Sequence, residues 1–240
     1  MLDLHRNRLT YFGHSTFSVR TPSGQVALID PWLRGNPRCP EPLKKMERLD
    51  VILVTHGHGD HCGDLVELGK RHKPAIVAIY ETCIWLGTQG LEDQTRPMNK
   101  GGTQKAGDFE ITMVNAFHSS SILDDGKIIY AGEAAGYVVR LPGGFTLYHA
   151  GDTAVFGDMK LIGDLYKPEL ACLPIGDLFT MGPREAAYAI RLLGVKHVVP
   201  MHYATFPPLT GTVEELRRET RDIAGLEIHE MKPGESHGAK

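Results

Sequence analysis

Apolar residues recur along this chain in short runs punctuated by Pro, Gly, Asn and Asp, a pattern of many brief strands rather than of long helices. Residues 9–12, 16–20 and 26–30 read as strands, the last two joined by the turn Thr21-Pro22-Ser23-Gly24. Residues 50–55 (DVILVT) are apolar without alternation, as a buried strand requires, and stop at a run of histidines. The pattern predicts a helix over 61–72, ended by Lys73-Pro74, and a buried strand at 75–80. Further strands are predicted at 109–114, 128–130, 135–141, 145–149 and 170–174. Pro183 opens a helix that Gly194 ends, and 195–200 is a strand. Thr212-Val213-Glu214-Glu215 has capping-box spacing and opens a last helix, closed by Gly225 before a strand at 226–231.

One internal echo organises this series. The segment Val19-Arg20-Thr21-Pro22-Ser23-Gly24 through Leu28 is matched by Val139-Arg140-Leu141-Pro142-Gly143-Gly144 through Tyr148, and each copy runs on to an aspartate, Asp30 or Asp152. Two similar β-rich halves, each interleaved with helices, imply two sheets face to face with helices outside. No low-complexity stretch or linker divides residues 1–240, which read as one domain.

Composition narrows the partners. With 26 basic and 29 acidic side chains the net charge is −3, which argues against a broadly cationic nucleic-acid or membrane binder. No apolar run approaches the roughly 20 residues that span a bilayer. The opening MLDLHRNRLTYFGH lacks the apolar stretch of a secretory signal, and the four scattered cysteines form no disulfide framework, so a reducing cytoplasm is the expected address.

The chemistry concentrates in His56-Gly57-His58-Gly59-Asp60-His61. Imidazole and carboxylate together suit zinc, iron or manganese, and the two glycines are expected to remove bulk and permit unusual backbone angles. Three further candidates, His118, Asp152 and His202, each stand where an apolar run opens into a loop. Singly, such a residue is an ordinary hydrogen-bonding loop residue; the combination with the histidine run raises them. Asp30, ending its strand, is a candidate to orient a ligating histidine, or a turn cap before Pro31. Asp177 lies in a glycine-flanked loop, where it would support a ligand or face the substrate; Tyr203 stands beside His202, where its hydroxyl would serve an oxyanion or simply pack in the core. Cys62 reads as a small buried residue at a helix start rather than a thiolate ligand. His5, His72, His197, His229 and His237 have no motif context. The apolar segment Phe206-Pro207-Pro208-Leu209 suits a pocket wall or a contact between subunits of a homo-oligomer.

Thr55-His56-Gly57-His58-Gly59-Asp60-His61 resembles the metal signature T-H-x-H-x-D-H of the metallo-β-lactamase superfamily, and His118, Gly151-Asp152-Thr153 and His202 match its later motifs in order. Tyr11-Phe12-Gly13-His14-Ser15, Ile29-Asp30-Pro31, His118-Ser119-Ser120, Leu173-Pro174-Ile175-Gly176-Asp177 and Pro200-Met201-His202-Tyr203 resemble its branch of small metal-dependent hydrolases of unassigned substrate. The resemblance implies a four-layer αββα sandwich and places His14 near the site, although the residues alone read it more simply as a loop histidine. It implies two divalent ions, zinc first, with manganese or iron accepted by the same ligands. His56, His58 and His118 would hold one; Asp60, His61 and His202 the other; Asp152 would bridge them, with Asp60 and Asp152 the catalytic carboxylates. A metal-bridged hydroxide would then attack an ester, lactone or phosphodiester. Two such ions, two carboxylates and one hydroxide leave about one positive charge, which suits an anionic small-molecule substrate. The alternatives are a mononuclear iron oxygenase of the same fold or a nuclease; the length leaves little room for an added RNA-gripping domain.

Overall fold

Alternation along the central strands sets the layers. In residues 51–54, Val51 and Leu53 face one core while Ile52 and Val54 face another; in 76–79, Val77 and Ile79 divide from Ile76 and Ala78 in the same way. Successive side chains of a strand point to opposite faces, so a sheet of such strands must be covered on both sides. The computed structural model describes residues 2–239.

The strands of the first half are β1 (Arg8–Gly13), β2 (Thr16–Arg20), β3 (Val26–Ile29), β4 (Val51–Leu53), β5 (Ala75–Ile79) and β6 (Thr95–Met98), with helices α1 (Gly59–Cys62), α2 (Leu65–His72) and α3 (Tyr80–Thr88). The second half contains β7 (Thr103–Ala106), β8 (Phe109–Asn115), β9 (Ser121–Asp124), β10 (Lys127–Tyr130), β11 (Ala135–Arg140), β12 (Thr146–His149), β13 (Leu170–Pro174), β14 (His197–Met201), β15 (Glu227–Ile228) and β16 (Ser236–Gly238). Its helices are α4 (Met159–Tyr166), α5 (Pro183–Leu193) and α6 (Val213–Glu219).

Two seven-stranded sheets result, ordered β16-β1-β2-β3-β4-β5-β6 and β15-β14-β13-β12-β11-β8-β7, with β9 and β10 as a separate hairpin. Phe17, Ile29, Leu53 and Val77 of the first sheet share one core with Ile111, Met113, Tyr137 and Leu147 of the second. Leu65 and Leu68 of α2 and Cys83 and Leu86 of α3 cover the outer face of the first sheet. Met159, Ala186, Ile190 and Leu216, from α4, α5 and α6, join the core from the second. The architecture is the expected αββα sandwich.

The sequence echo corresponds to a structural one. Each sheet has an antiparallel part (β1-β2-β3; β8-β11-β12) followed by parallel strands (β4-β5-β6; β13-β14-β15). The turn bond from Gly24 N–H to Thr21 O recurs from Gly144 N–H to Leu141 O, and both glycines have left-handed backbones, φ 88° and 89°. Asp30 and Asp152 follow the equivalent strands β3 and β12.

Several expectations are corrected. The helix over 61–72 is two helices: the Asp64 carboxylate leaves the helical path to accept N–H bonds from Leu33 (2.6 Å) and Arg34 (3.0 Å). The last helix ends at Glu219, six residues before Gly225, and Thr220 Oγ1 bonds back to Leu216 O at 2.7 Å. Tyr80, expected to end a strand, begins α3. Only Glu227–Ile228 of the last predicted strand pairs, and β16 follows it.

Candidate metal centre

The centre lies where parallel strands of both sheets end. Val51–Leu53 delivers the histidine run, β12 delivers Asp152, β14 delivers His202, and the loop after β8 carries His118. Gly57 lets this convergence occur: a Cβ there would lie 2.8 Å from Ala131 Cβ and 2.9 Å from Ser121 O. Gly59 does not fit its expected role, because nothing lies within 4 Å of a Cβ added there; neither glycine has a positive φ. The left-handed positions are instead His14 (φ 58°), Asp30 (53°), Gly151 (62°) and His202 (53°). Such strain in non-glycine residues persists only where surrounding contacts fix it.

The geometry converges on one oxygen. Asp152 Oδ2 lies 2.9 Å from His202 Nε2, 3.3 Å from His61 Nε2, 3.7 Å from His118 Nε2 and 4.0 Å from His56 Nε2. On one side, His58 Nδ1 stands 3.0 Å from His56 Nε2 and 3.3 Å from His118 Nε2. On the other, donor atoms of His14, Asp60, His61 and His202 all lie within 4.8 Å of one another. His56, His61, Asp152 and His202 are buried, while His58, Asp60 and His118 are partly exposed and mark the open side.

Asp30 orients two of these rings. Its Oδ2 accepts from His61 Nδ1 at 2.7 Å and from the Thr55 hydroxyl at 2.8 Å, and its Oδ1 accepts from Thr55 N–H at 2.8 Å. Thr55 Oγ1, having given its proton to Asp30, accepts from His56 Nδ1 at 3.0 Å. One carboxylate thus fixes the ring orientations of His56 and His61 and leaves both Nε2 atoms facing Asp152.

His14 is buried, with Nε2 3.1 Å from Asp60 Oδ2 and Nδ1 2.9 Å from Thr205 Oγ1; its ring lies 4.0 Å from that of His202. Burial holds His14 down at about 4 despite the Asp60 hydrogen bond, so the ring is neutral near pH 7. Burial and the His61 charge push His56 well below the imidazole range, and burial lowers His58 and His118. Burial opposes charge on His61 too, but Asp152 and Asp30 outweigh it and hold His61 well above that range. His61 and His202 in turn hold the Asp152 carboxyl low against its burial.

Two candidates stand apart from these donors. The exposed Asp177 caps its own turn, accepting from Leu178 N–H at 2.7 Å, and lines a cavity of about 310 Å³ with residues of α5 and α6. Tyr203 is half-buried against the core, and burial together with the Glu230 charge pushes its hydroxyl up to about 12. His149 carries a role the sequence did not signal. Its Nδ1 accepts from Gly151 N–H at 3.2 Å and its Nε2 donates to Ser15 O at 2.9 Å, tying the Asp152 turn to the first sheet. Thr153 Oγ1 accepts from Phe117 N–H at 2.9 Å and ties the same turn to the His118 loop.

Residues suited to a metal carry buried donor atoms that the protein itself leaves unpaired. His61 Nε2 and Asp152 Oδ1 are both buried without a hydrogen-bond partner, an arrangement that is costly unless something else engages them. Imidazoles and carboxylates are the donors a divalent ion takes, with His61 giving up its proton as an ion binds, so the residues fit the group. A family model described as a β-lactamase superfamily domain matches residues 26–203. The chain belongs to the metallo-β-lactamase superfamily. Its relatives include a metal-dependent hydrolase of Rubrobacter xylanophilus, 55% identical over 97% of this chain and 96% of that one. Another, from Koribacter versatilis, is 51% identical over 98% and 99%. Among solved structures, the metallo hydrolase Igni18 of Ignicoccus hospitalis has TM-score 0.84 and 36% identity, covering 96% of this chain and 97% of that one. CmlA, a diiron β-hydroxylase from Streptomyces venezuelae, shares the fold alone: TM-score 0.72 and 15% identity, covering 99% of this chain and 54% of that one. The chain is accordingly a metal-dependent hydrolase with candidate metal-binding clusters. No helix among the described residues of this hydrolase is long and apolar enough to cross a membrane.

Proposed function

We propose that this hydrolase works through a dinuclear centre on an ester, lactone or phosphodiester of a small, anionic molecule. His56, His58 and His118 would hold one ion; Asp60, His61 and His202 would hold the other; Asp152 would be shared between them. The observation that carries this reading is Asp152 Oδ2 within 4.0 Å of four imidazole nitrogens drawn from both halves of the chain. A carboxylate at the focus of two donor groups is placed to be shared, and the groups around His58 and around Asp60 are separate sets of that kind. When bound, divalent ions would supply Lewis acidity at the substrate oxygen and lower the pKa of a metal-bound water toward neutrality.

The protein's own residues prepare the site. Asp30 holds the Nδ1 proton of His61 directly and that of His56 through Thr55, so neither ring rotates away. His14, fixed by Thr205, holds one oxygen of Asp60 and leaves the other for a ligand. The buried side excludes water, and substrate enters past His58, His118 and Asp60.

The test is a screen of ester, lactone and phosphodiester substrates with protein stripped by a chelator and reloaded with zinc, manganese or iron. The expected result is hydrolysis lost by at least about a hundredfold on stripping and restored by one of the metals. Hydrolysis indifferent to chelation, or oxygen consumption with iron and no hydrolysis, would sink the proposal.

A further inference from the structure

We propose that His197, Glu227 and His229 form a separate, structural site for a divalent transition-metal ion at the β14–β15 edge of the second sheet. His197 opens β14 and Glu227 opens β15, and the two are direct partners in the parallel register. His229 stands two residues beyond Glu227 and is held by its N–H to Val198 O at 2.8 Å. Residues two apart on a strand face the same side, so all three side chains gather on one face.

The distances match a coordination sphere. His197 Nδ1 lies 3.1 Å from His229 Nε2, and Glu227 Oε2 lies 3.9 Å from each. Two imidazole nitrogens at that separation, each about 2.0–2.1 Å from a shared zinc, subtend about 100°, between octahedral and tetrahedral values. Glu227 is two-thirds exposed and forms no ion pair with Lys or Arg among the described residues, so its carboxylate is free to swing inward. With one divalent ion and neutral rings, one carboxylate leaves about one positive charge, and water fills the open positions.

A third imidazole adjoins the group. His237, on β16, packs edge-on to His229 with ring centroids 5.3 Å apart, and its buried Nδ1 has no hydrogen-bond partner. Burial lowers both His229 and His237 toward the neutral form that a metal requires. The location explains what an ion would do there. β15 is only two residues long, and the chain then crosses to the first sheet, where β16 pairs with β1. An ion on His197, Glu227 and His229 clamps this crossing. It is distinct from the hydrolytic centre, because His197 and His202 stand at opposite ends of one strand, roughly 16 Å apart at the rise of a parallel strand.

The experiment compares the full chain with the His197→Ala/His229→Ala and Glu227→Gln variants, each stripped by chelator and titrated with zinc. The double variant should bind one equivalent fewer per chain and lose part of the zinc-dependent rise in Tm, while hydrolytic activity after reloading is unchanged. Glu227→Gln, at an exposed position, should fold normally and bind that same equivalent at least about tenfold more weakly. Equal stoichiometry and affinity in wild type and both variants would mean that His197 and His229 are only a hydrogen-bonded pair. Should the double variant fail to fold, an unchanged titration of Glu227→Gln alone overturns the proposal.

Discussion

Asp152→Ala is expected to release at least one metal ion per chain and to lower hydrolysis by roughly a thousandfold, the upper range for deleting one preorganised electrostatic group. The reason lies in the focus on Asp152 Oδ2, around which His56, His61, His118 and His202 gather. Without the carboxylate, four imidazoles converge on a space whose remaining negative charge is that of Asp60 on one side, and two divalent ions there would repel each other with far less screening. Asp152→Asn is the sharper comparison, since it keeps the shape and removes only the charge. Metal content by elemental analysis, read beside the rate, checks both variants. Full activity with both metals retained in Asp152→Ala would refute the bridge.

The second large effect is expected away from the reacting atoms. Asp30 is fully buried and accepts three hydrogen bonds, from Thr55 N–H, the Thr55 hydroxyl and His61 Nδ1. Asp30→Ala strands those donors and leaves His61 without its orienting partner. Breaking a buried, paired charge typically costs about 3–5 kcal/mol, and loss of such an orienting carboxylate weakens metal affinity about 10–100-fold. The urea midpoint of the stripped protein reads the first quantity and a competitive zinc titration reads the second. Asp30→Asn tolerates the left-handed backbone (φ 53°) but turns an amide donor toward either His61 or Thr55. It should recover part of the stability and little of the affinity. A titration unchanged in both variants would show that Asp30 is only a turn cap.

The candidate donors were legible because each follows an apolar run, and a strand end is a local signal. The echo around Thr21–Gly24 and Leu141–Gly144 was legible too, because equivalent turns need equivalent residues; the two glycines share the same left-handed angle. What stayed hidden depends on contacts distant in sequence. His149 ends a strand like any other, and only the approach of Ser15 O, 134 residues away, gives its ring a task. The break between α1 and α2 is set by Asp64 reaching the backbone of residues 33 and 34, where tertiary hydrogen bonds override a continuous helical pattern. α3 escaped because Tyr80 and Ile84 are exposed while Thr82 and Cys83 are buried, so it carries no clean apolar stripe. Gly59 shows the opposite error: a glycine in a ligand motif read as a steric necessity, though the space beside it is open.

The most direct test of the dinuclear claim is an anomalous difference map from crystals of the metal-loaded protein, collected at the absorption edge of the bound metal. Two peaks are expected at the centre, one against His56, His58 and His118 and one against Asp60, His61 and His202, both within coordinating distance of Asp152. A single fully occupied peak there, with the other donor group hydrogen-bonded to water, would contradict it.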